Sequence, residues 1–351
     1  MTFVRALGSF AFLAVLTAPL LGGAESLAPA IKSDPNAITL LRESMDAPRR
    51  LSFVGRMETL RWGTRSANAT IFRVEHRAPD LTRRWFEAPR SLYGDYVIMR
   101  GITSYQFDVR RQTVSVSRNP AIDELVLQHE NYGLLSQNYG IVTGPSENVA
   151  GRRTLSIDMI NKYTGERVMR VWLDAQTHLV LERVVYHSDG SIASQTRFDG
   201  LRYTNNIPSA IFSTQTPPGY QVTAERDYSK PTENLEAVAK EAQFTPRSPH
   251  YLPEGFQVIS GDINTVKGVK TVHYLYSDGI RSLSLFENAR NAAADFGKLR
   301  PRSIKFGAHT GQYVDDGPTT LLTWHASGLN FAVVGELGLR ELTKIAASVV
   351  P

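Results

Sequence analysis

Residues 148–198 read NVAGRRTLSIDMINKYTGERVMRVWLDAQTHLVLERVVYHSDGSIASQTRF. Extended apolar runs alternate here with turn residues, which predicts a three-stranded meander. One strand ends at Val171-Trp172-Leu173-Asp174, one runs from Leu179 to His187, and one closes on Phe198. Asp189-Gly190 between two such runs is a strong hairpin signal, because a type I′ turn needs positive φ at both central residues. The other turn, Asp174 to His178, places His178 where a left-handed residue is wanted, and His tolerates that conformation. In the middle strand Leu179, Leu181 and Val185 share one face, and Val180, Val184 and Tyr186 share the other. Neither face is polar, so the strand is covered on both sides, in a sheet that lies under helices or wraps an apolar interior.

Outward from this stretch, residues 1–24 have the pattern of a secretory signal. Arg5 gives a positive start, Ala6 to Leu21 is apolar but short for a membrane span, and Gly22-Gly23-Ala24 offers small residues for cleavage near Ala24. With no cysteine in the chain, a lipid-modified cysteine and disulfides are both excluded, and a soluble exported protein is expected. The rest of the 351 residues exceeds what one core usually serves. The expected division is a first domain over 25–224, a linker over 225–247 and a second domain over 248–351. A net charge of +5 permits an acidic peptide or an anionic lipid headgroup as partner, and nucleic acid is not expected outside the cytoplasm.

Asp34-Pro35 is an N-cap followed by proline at the first helical position, and Ile38, Leu41 and Met45 recur at helical spacing. The helix is expected over 35–46, with Pro48 ending it. From Leu51 the period becomes two. Strands are predicted at 51–62, 69–76, 81–86, 95–100, 104–109 and 113–117, antiparallel because the connections are short. Asn119 to His129 reads as a helix, and Tyr132 to Tyr139 as a further helical turn or a loop. In the linker, Leu235, Val238 and Ala242 share one helical face. Beyond it, Val272–Tyr276 and Ile280–Phe286 flank a second Asp-Gly turn at Asp278-Gly279, and Thr319–His325 pairs with Leu329–Glu336. Leu339, Leu342, Ile345, Ala346 and Val349 form the stripe of a last helix. The fold class is α+β: an antiparallel half-barrel with covering helices, plus a smaller α+β C-terminal domain.

Catalytic constellations are missing from this pattern. No Gly-x-Ser-x-Gly or Ser-x-x-Lys stands in a strand-turn-helix context. The eight His residues show no metal-ligand spacing, and Asp315-Asp316 before Gly317 is a turn former. Neither metal nor cofactor is expected, and the chain is not read as an enzyme. Trp62, Phe72, Trp85, Phe86, Tyr96, Phe107, Trp172 and Phe198 all fall on strands of the first domain. They are either an ordinary core or the walls of a cavity that admits acyl chains. Lys298, Arg300, Arg302 and Lys305 form a basic loop suited to an acidic peptide or headgroup.

Val149-Ala150-Gly151-Arg152, Tyr163, Trp172-Leu173-Asp174, Asp189-Gly190 and Phe198 resemble the late strands of the MucB/RseB periplasmic regulators, and Phe53-Val54-Gly55 is similar to their opening strand. Tyr251 to Phe256, Tyr276 to Gly279, Ser284 to Phe286 and Val333 to Glu336 resemble their C-terminal module. The resemblance implies a half-barrel like that of the lipoprotein-sorting carriers, a smaller second domain and no catalysis. It also implies a partner, the periplasmic segment of a single-span anti-sigma factor, shielded from the site-1 protease until lipid or lipopolysaccharide binds. A homo-oligomer stays open. The rival is a periplasmic lipid or lipoprotein carrier, which shares the first domain and has no need of the second. His178 departs from the small residue that this family often has near its Trp-Leu-Asp turn.

Overall fold

The computed structural model describes residues 31–63, 67–101, 103–118, 132–223, 231–242, 244–266, 269–289, 296, 300–315 and 319–350. The signal at 1–24 and the helix expected at 119–129 lie outside these residues. Helix α1 spans Pro35–Arg50, and the Asp34 carboxylate accepts the Asn36 N–H at 2.9 Å. It runs past Pro48, contrary to expectation. A proline in the last turn removes only one late helical bond, the Leu51 N–H still reaches the Ala47 carbonyl, and the Pro48 carbonyl takes a bond from His76 Nε2 at 2.7 Å. Ala37, Leu41 and Met45 recur on one face and are buried in the first core.

Six strands follow: β1 Phe53–Trp62, β2 Ala67–Arg77, β3 Leu81–Ala88, β4 Tyr96–Arg100, β5 Thr103–Asp108 and β6 Thr113–Arg118. Next come α2 Tyr132–Asn138, β7 Tyr139–Thr143, β8 Asn148–Val149, β9 Arg152–Asn161, β10 Arg167–Asp174, β11 Val180–Tyr186, β12 Ile192–Tyr203 and the short β13 Gln221–Thr223. The thirteen strands form one sheet in the order β13-β6-β5-β4-β3-β2-β1-β12-β11-β10-β9-β7, with β8 paired to β9 off this path. The first strand is therefore central, sealed on one side by its neighbour β2 and on the other by β12. The sheet coils into an open half-barrel around the core that α1 covers. At Gly55 a Cβ would lie 2.8 Å from the Phe198 ring, so only glycine lets β12 press that ring into the core. Pairing is antiparallel except where β13 joins β6 in parallel at the outer edge, after a connection long enough to cross over.

The opening stretch contains five strands, β8 to β12, where three were expected. The run before Trp172 is broken at Lys162-Tyr-Thr-Gly165, where Gly165 has φ +74°. His178 does adopt φ +59°. Leu181, Val180 and Val184 are all buried although they leave opposite faces of β11, as the two-sided apolar pattern predicts. The Asp189-Gly190 turn is not type I′, because only Gly190 has positive φ. The type I′ signature sits instead at Ala150-Gly151 (φ +50°, +71°) and Ser327-Gly328 (φ +50°, +77°).

The second unit contains α3 Leu235–Glu241, β14 Gln257–Val266, β15 Val269–Ser277, β16 Ser282–Asn288, β17 Arg302–Phe306, β18 His309–Asp315, β19 Thr320–Ala326, β20 Leu329–Gly335 and α4 Leu339–Val349. Its sheet order is β14-β15-β16-β20-β19-β18-β17. Leu342, Ile345, Ala346 and Val349 are buried against this sheet, as the stripe predicts. Val238 and Ala242 join the same core, so this part of the expected linker is packed into the second domain. Thr232 bridges to Gly261 on β14 as well.

Candidate functional site

The expected aromatic pocket is not one site. Phe72, Phe86, Trp172 and Phe198 pack in the main core, Tyr96 and Phe107 belong to a separate outer cluster with Ile98 and Val114, and Trp62 and Trp85 join neither. The expected basic loop is also redistributed. Lys298 lies outside the described residues, Arg300 precedes β17, and Arg302 and Lys305 lie on β17 itself. Because side chains alternate along a strand, Arg302 and Lys305 leave opposite faces and cannot form one patch. Arg302 instead places its guanidinium 5.2 Å from the Tyr313 ring.

What the fold does build is a cleft between the two sheets, of about 730 Å³. Its floor is a junction that joins the domains at buried positions. Tyr139, wholly buried at the start of β7, donates its hydroxyl to Asp278 Oδ2 at 2.6 Å. Asp278 Oδ1 accepts the N–H groups of Ile280 and Arg281 at 3.0 and 2.7 Å. Asn138 donates to the carbonyls of Gly255 and Asp278, both at 2.9 Å, and accepts from the Tyr163 hydroxyl at 3.0 Å. Burial, then the charge and hydrogen bond of Asp278, hold the Tyr139 phenol far above its ordinary range, so it stays a donor. Thus the Asp278-Gly279 turn plugs into the first domain. Gly279 has φ +100°, and a Cβ there would lie 2.4 Å from the Leu135 nitrogen. We expect Gly279→Ala to cost about 1–3 kcal/mol and to loosen the junction. Faster limited proteolysis near residues 243–256, with both sheets intact by circular dichroism, checks it.

The walls carry both charges in equal number. Arg61, Arg183, Arg281, Arg340 and Lys344 line the cleft with Glu166, Glu254, Asp278, Glu336 and Glu341. Crowding by the two domains pushes the Glu336 carboxyl up, opposed mainly by Arg183, although its side chain still reaches cleft solvent. On the second-domain wall the Tyr251 hydroxyl bonds Glu341, which pushes the phenol up to about 12, and Lys344 Nζ lies 5.7 Å from the Tyr251 ring. Such a lining, more polar than apolar, offers donors, acceptors and paired charges to a polypeptide.

A hydrogen-bonded string that sequence spacing did not reveal crosses β14, β15 and β16. Asp262 Oδ2 meets His273 Nδ1 at 2.9 Å, and His273 Nε2 meets Ser284 Oγ at 3.0 Å. The order is that of an acyl-transfer triad, but Ser284 sits mid-strand between Leu275 and Val334, with no strained elbow and its backbone in the ladder. Among the described residues no three His, Asp or Glu side chains gather as metal ligands, and no helix is long and apolar enough to cross a membrane.

The structure is thus a two-domain protein whose two sheets flank a polar cleft. Residues 97–216 match the family described as "MucB/RseB N-terminal domain", and residues 246–349 match "Domain of unknown function (DUF4367)". A solved structure of MucB in complex with MucA(peri) superposes with a TM-score of 0.59 at 17% identity, covering 90% of this chain and 98% of that one. The Pseudomonas aeruginosa MucA/MucB complex gives 0.59 at 16% identity, covering 90% and 99%. MucB alone gives 0.53 at 16%, covering 90% and 98%. No curated protein matches by sequence. Residues 97–216 thus match a MucB/RseB N-terminal domain, and the fold over 90% of the chain is similar to that of MucB.

Proposed function

We propose that this chain is a periplasmic regulator that holds the periplasmic segment of a single-span anti-sigma factor, shields it from regulated proteolysis, and releases it when lipid or lipopolysaccharide binds. The observation that carries the reading is the extent of the likeness. MucB solved with MucA(peri) aligns over 90% of this chain, so the likeness spans both domains. The mixed-charge cleft suits a peptide segment, and the Tyr139–Asp278 junction fixes the angle between its walls before any partner arrives, which reduces the ordering cost of binding. Release is linkage: a lipid shifts the equilibrium only by its differential affinity for the partner-free state. The rival reading, a lipid or lipoprotein carrier, needs an apolar void, and the aromatics that would wall it are split between two packed clusters and positions outside both.

The test is calorimetric titration of the mature chain with the periplasmic segment of the anti-sigma factor encoded beside it. We expect saturable binding, weakened about tenfold or more by the double reversal Arg340→Glu and Lys344→Glu on the cleft wall. Absence of any association overturns the regulator. Undiminished affinity in the double variant moves the segment out of the cleft.

A further inference from the structure

We propose that one end of the first sheet is a membrane-docking tip that rests on anionic phospholipid. Two turns and an edge strand meet there beyond the strand ends. The loop 89–94 joins β3 to β4, the turn 109–112 joins β5 to β6, and β13 begins beside that turn, where the Gln221 N–H reaches the Gln112 carbonyl at 2.8 Å. Tyr93 is 59% exposed, Val222 58% and Val109 38%. Isolated apolar exposure is ordinary on a protein surface, but here three such side chains share one end of one sheet.

The tip is held in shape. The Asp95 N–H bonds the Leu92 carbonyl at 2.9 Å, the Asp95 carboxylate accepts the Val109 N–H at 2.9 Å, and Arg110 donates to the Ser91 carbonyl across the two turns. The Tyr93 ring packs edge-on to Trp85 at 5.8 Å, which leaves its outer face to solvent. Around these apolar side chains stand the exposed Arg90, Arg110 and Arg111. Among the described residues the acids at these turns are committed: Asp95 is buried, and Asp108 lies 3.6 Å from Arg111 and accepts its N–H at 2.8 Å. The excess charge is therefore positive.

The tip presents a tyrosine, two valines and three exposed arginines on two turns and a strand edge. It matches an interface in which the aromatic sits at headgroup level and guanidinium groups meet lipid phosphates. This inference does not depend on the cleft or its partner, since the tip lies on loops that the cleft does not use.

Co-sedimentation of the mature chain with vesicles tests it, using phosphatidylglycerol–phosphatidylcholine mixtures against phosphatidylcholine alone, with no partner present. The expected result is partition on the anionic vesicles at least tenfold above the neutral ones, falling as salt rises. At roughly fivefold per arginine, Arg110→Glu with Arg111→Glu lowers partition by about 20-fold or more. Tyr93→Ser, an exposed position with the fold undisturbed, lowers it several-fold and leaves the salt dependence unchanged. Equal binding to neutral vesicles, or full partition in both variants, overturns the proposal. So does retention by an acidic polypeptide without any vesicle binding.

Discussion

Trp172→Ala lowers the unfolding free energy by about 3–5 kcal/mol, the range for emptying a large aromatic from a packed core. Trp172 is 5% exposed on β10, its neighbours across the ladder are Ser156 and Glu182, and Arg170 stands over its ring at 5.6 Å. No acceptor among the described residues reaches its indole Nε1. Trp172→Phe therefore keeps most of the ring while deleting a buried unpaired donor, and its cost should be well under half that of alanine. Guanidinium denaturation of the three proteins, with equal slopes, gives the comparison. An alanine variant of unchanged midpoint would make Trp172 the wall of a void and reopen the carrier reading.

Much of the fold was legible because a sheet and its turns write themselves locally. Period-two runs between Gly and Pro breaks located β1 to β6 within two or three residues of their ends. Asp174 to His178 was long enough to demand a left-handed residue, and His178 supplies it. The failures were also local. β7 follows α2 with no breaker between Asn138 and Tyr139, so Tyr139 reads with the helical turn or loop before it and Gly140 to Thr143 read as no element. The basic residues near 300 were grouped by nearness in the chain, whereas a strand sends alternate side chains to opposite faces. The junction was beyond local reading altogether. Asp278-Gly279 announced a turn, but nothing near it in sequence names Tyr139 as its partner 139 residues away. The same holds for the cleft, whose charges come from strands and helices of both domains.

Glu287 gives the second sheet a stability that declines toward alkaline pH. The side chain is wholly buried on β16 between Val272 and Phe331, its Oε2 accepts the Arg247 N–H at 2.8 Å, and its Oε1 has no hydrogen-bond partner among the described residues. Burial raises its carboxyl to about 7, against the opposing Arg247 N–H and charge. The folded value exceeds the unfolded one of about 4.5, so the native chain holds this proton more tightly. The contribution is fully present below about pH 4.5 and is lost as pH rises through about 7, reaching roughly 3 kcal/mol at the alkaline end. Glu75 and Glu336 are shifted upward by burial too, so the wild-type slope alone does not isolate Glu287. Glu287→Gln does, because the amide stays neutral at every pH while keeping an acceptor for the Arg247 N–H. Denaturation at pH 5 and pH 8 should show the wild type losing about 2.5 kcal/mol more than the variant across that interval. Identical losses in both would mean that the carboxylate finds solvent or a counter-charge when it ionises, and that the sheet does not enforce its neutrality.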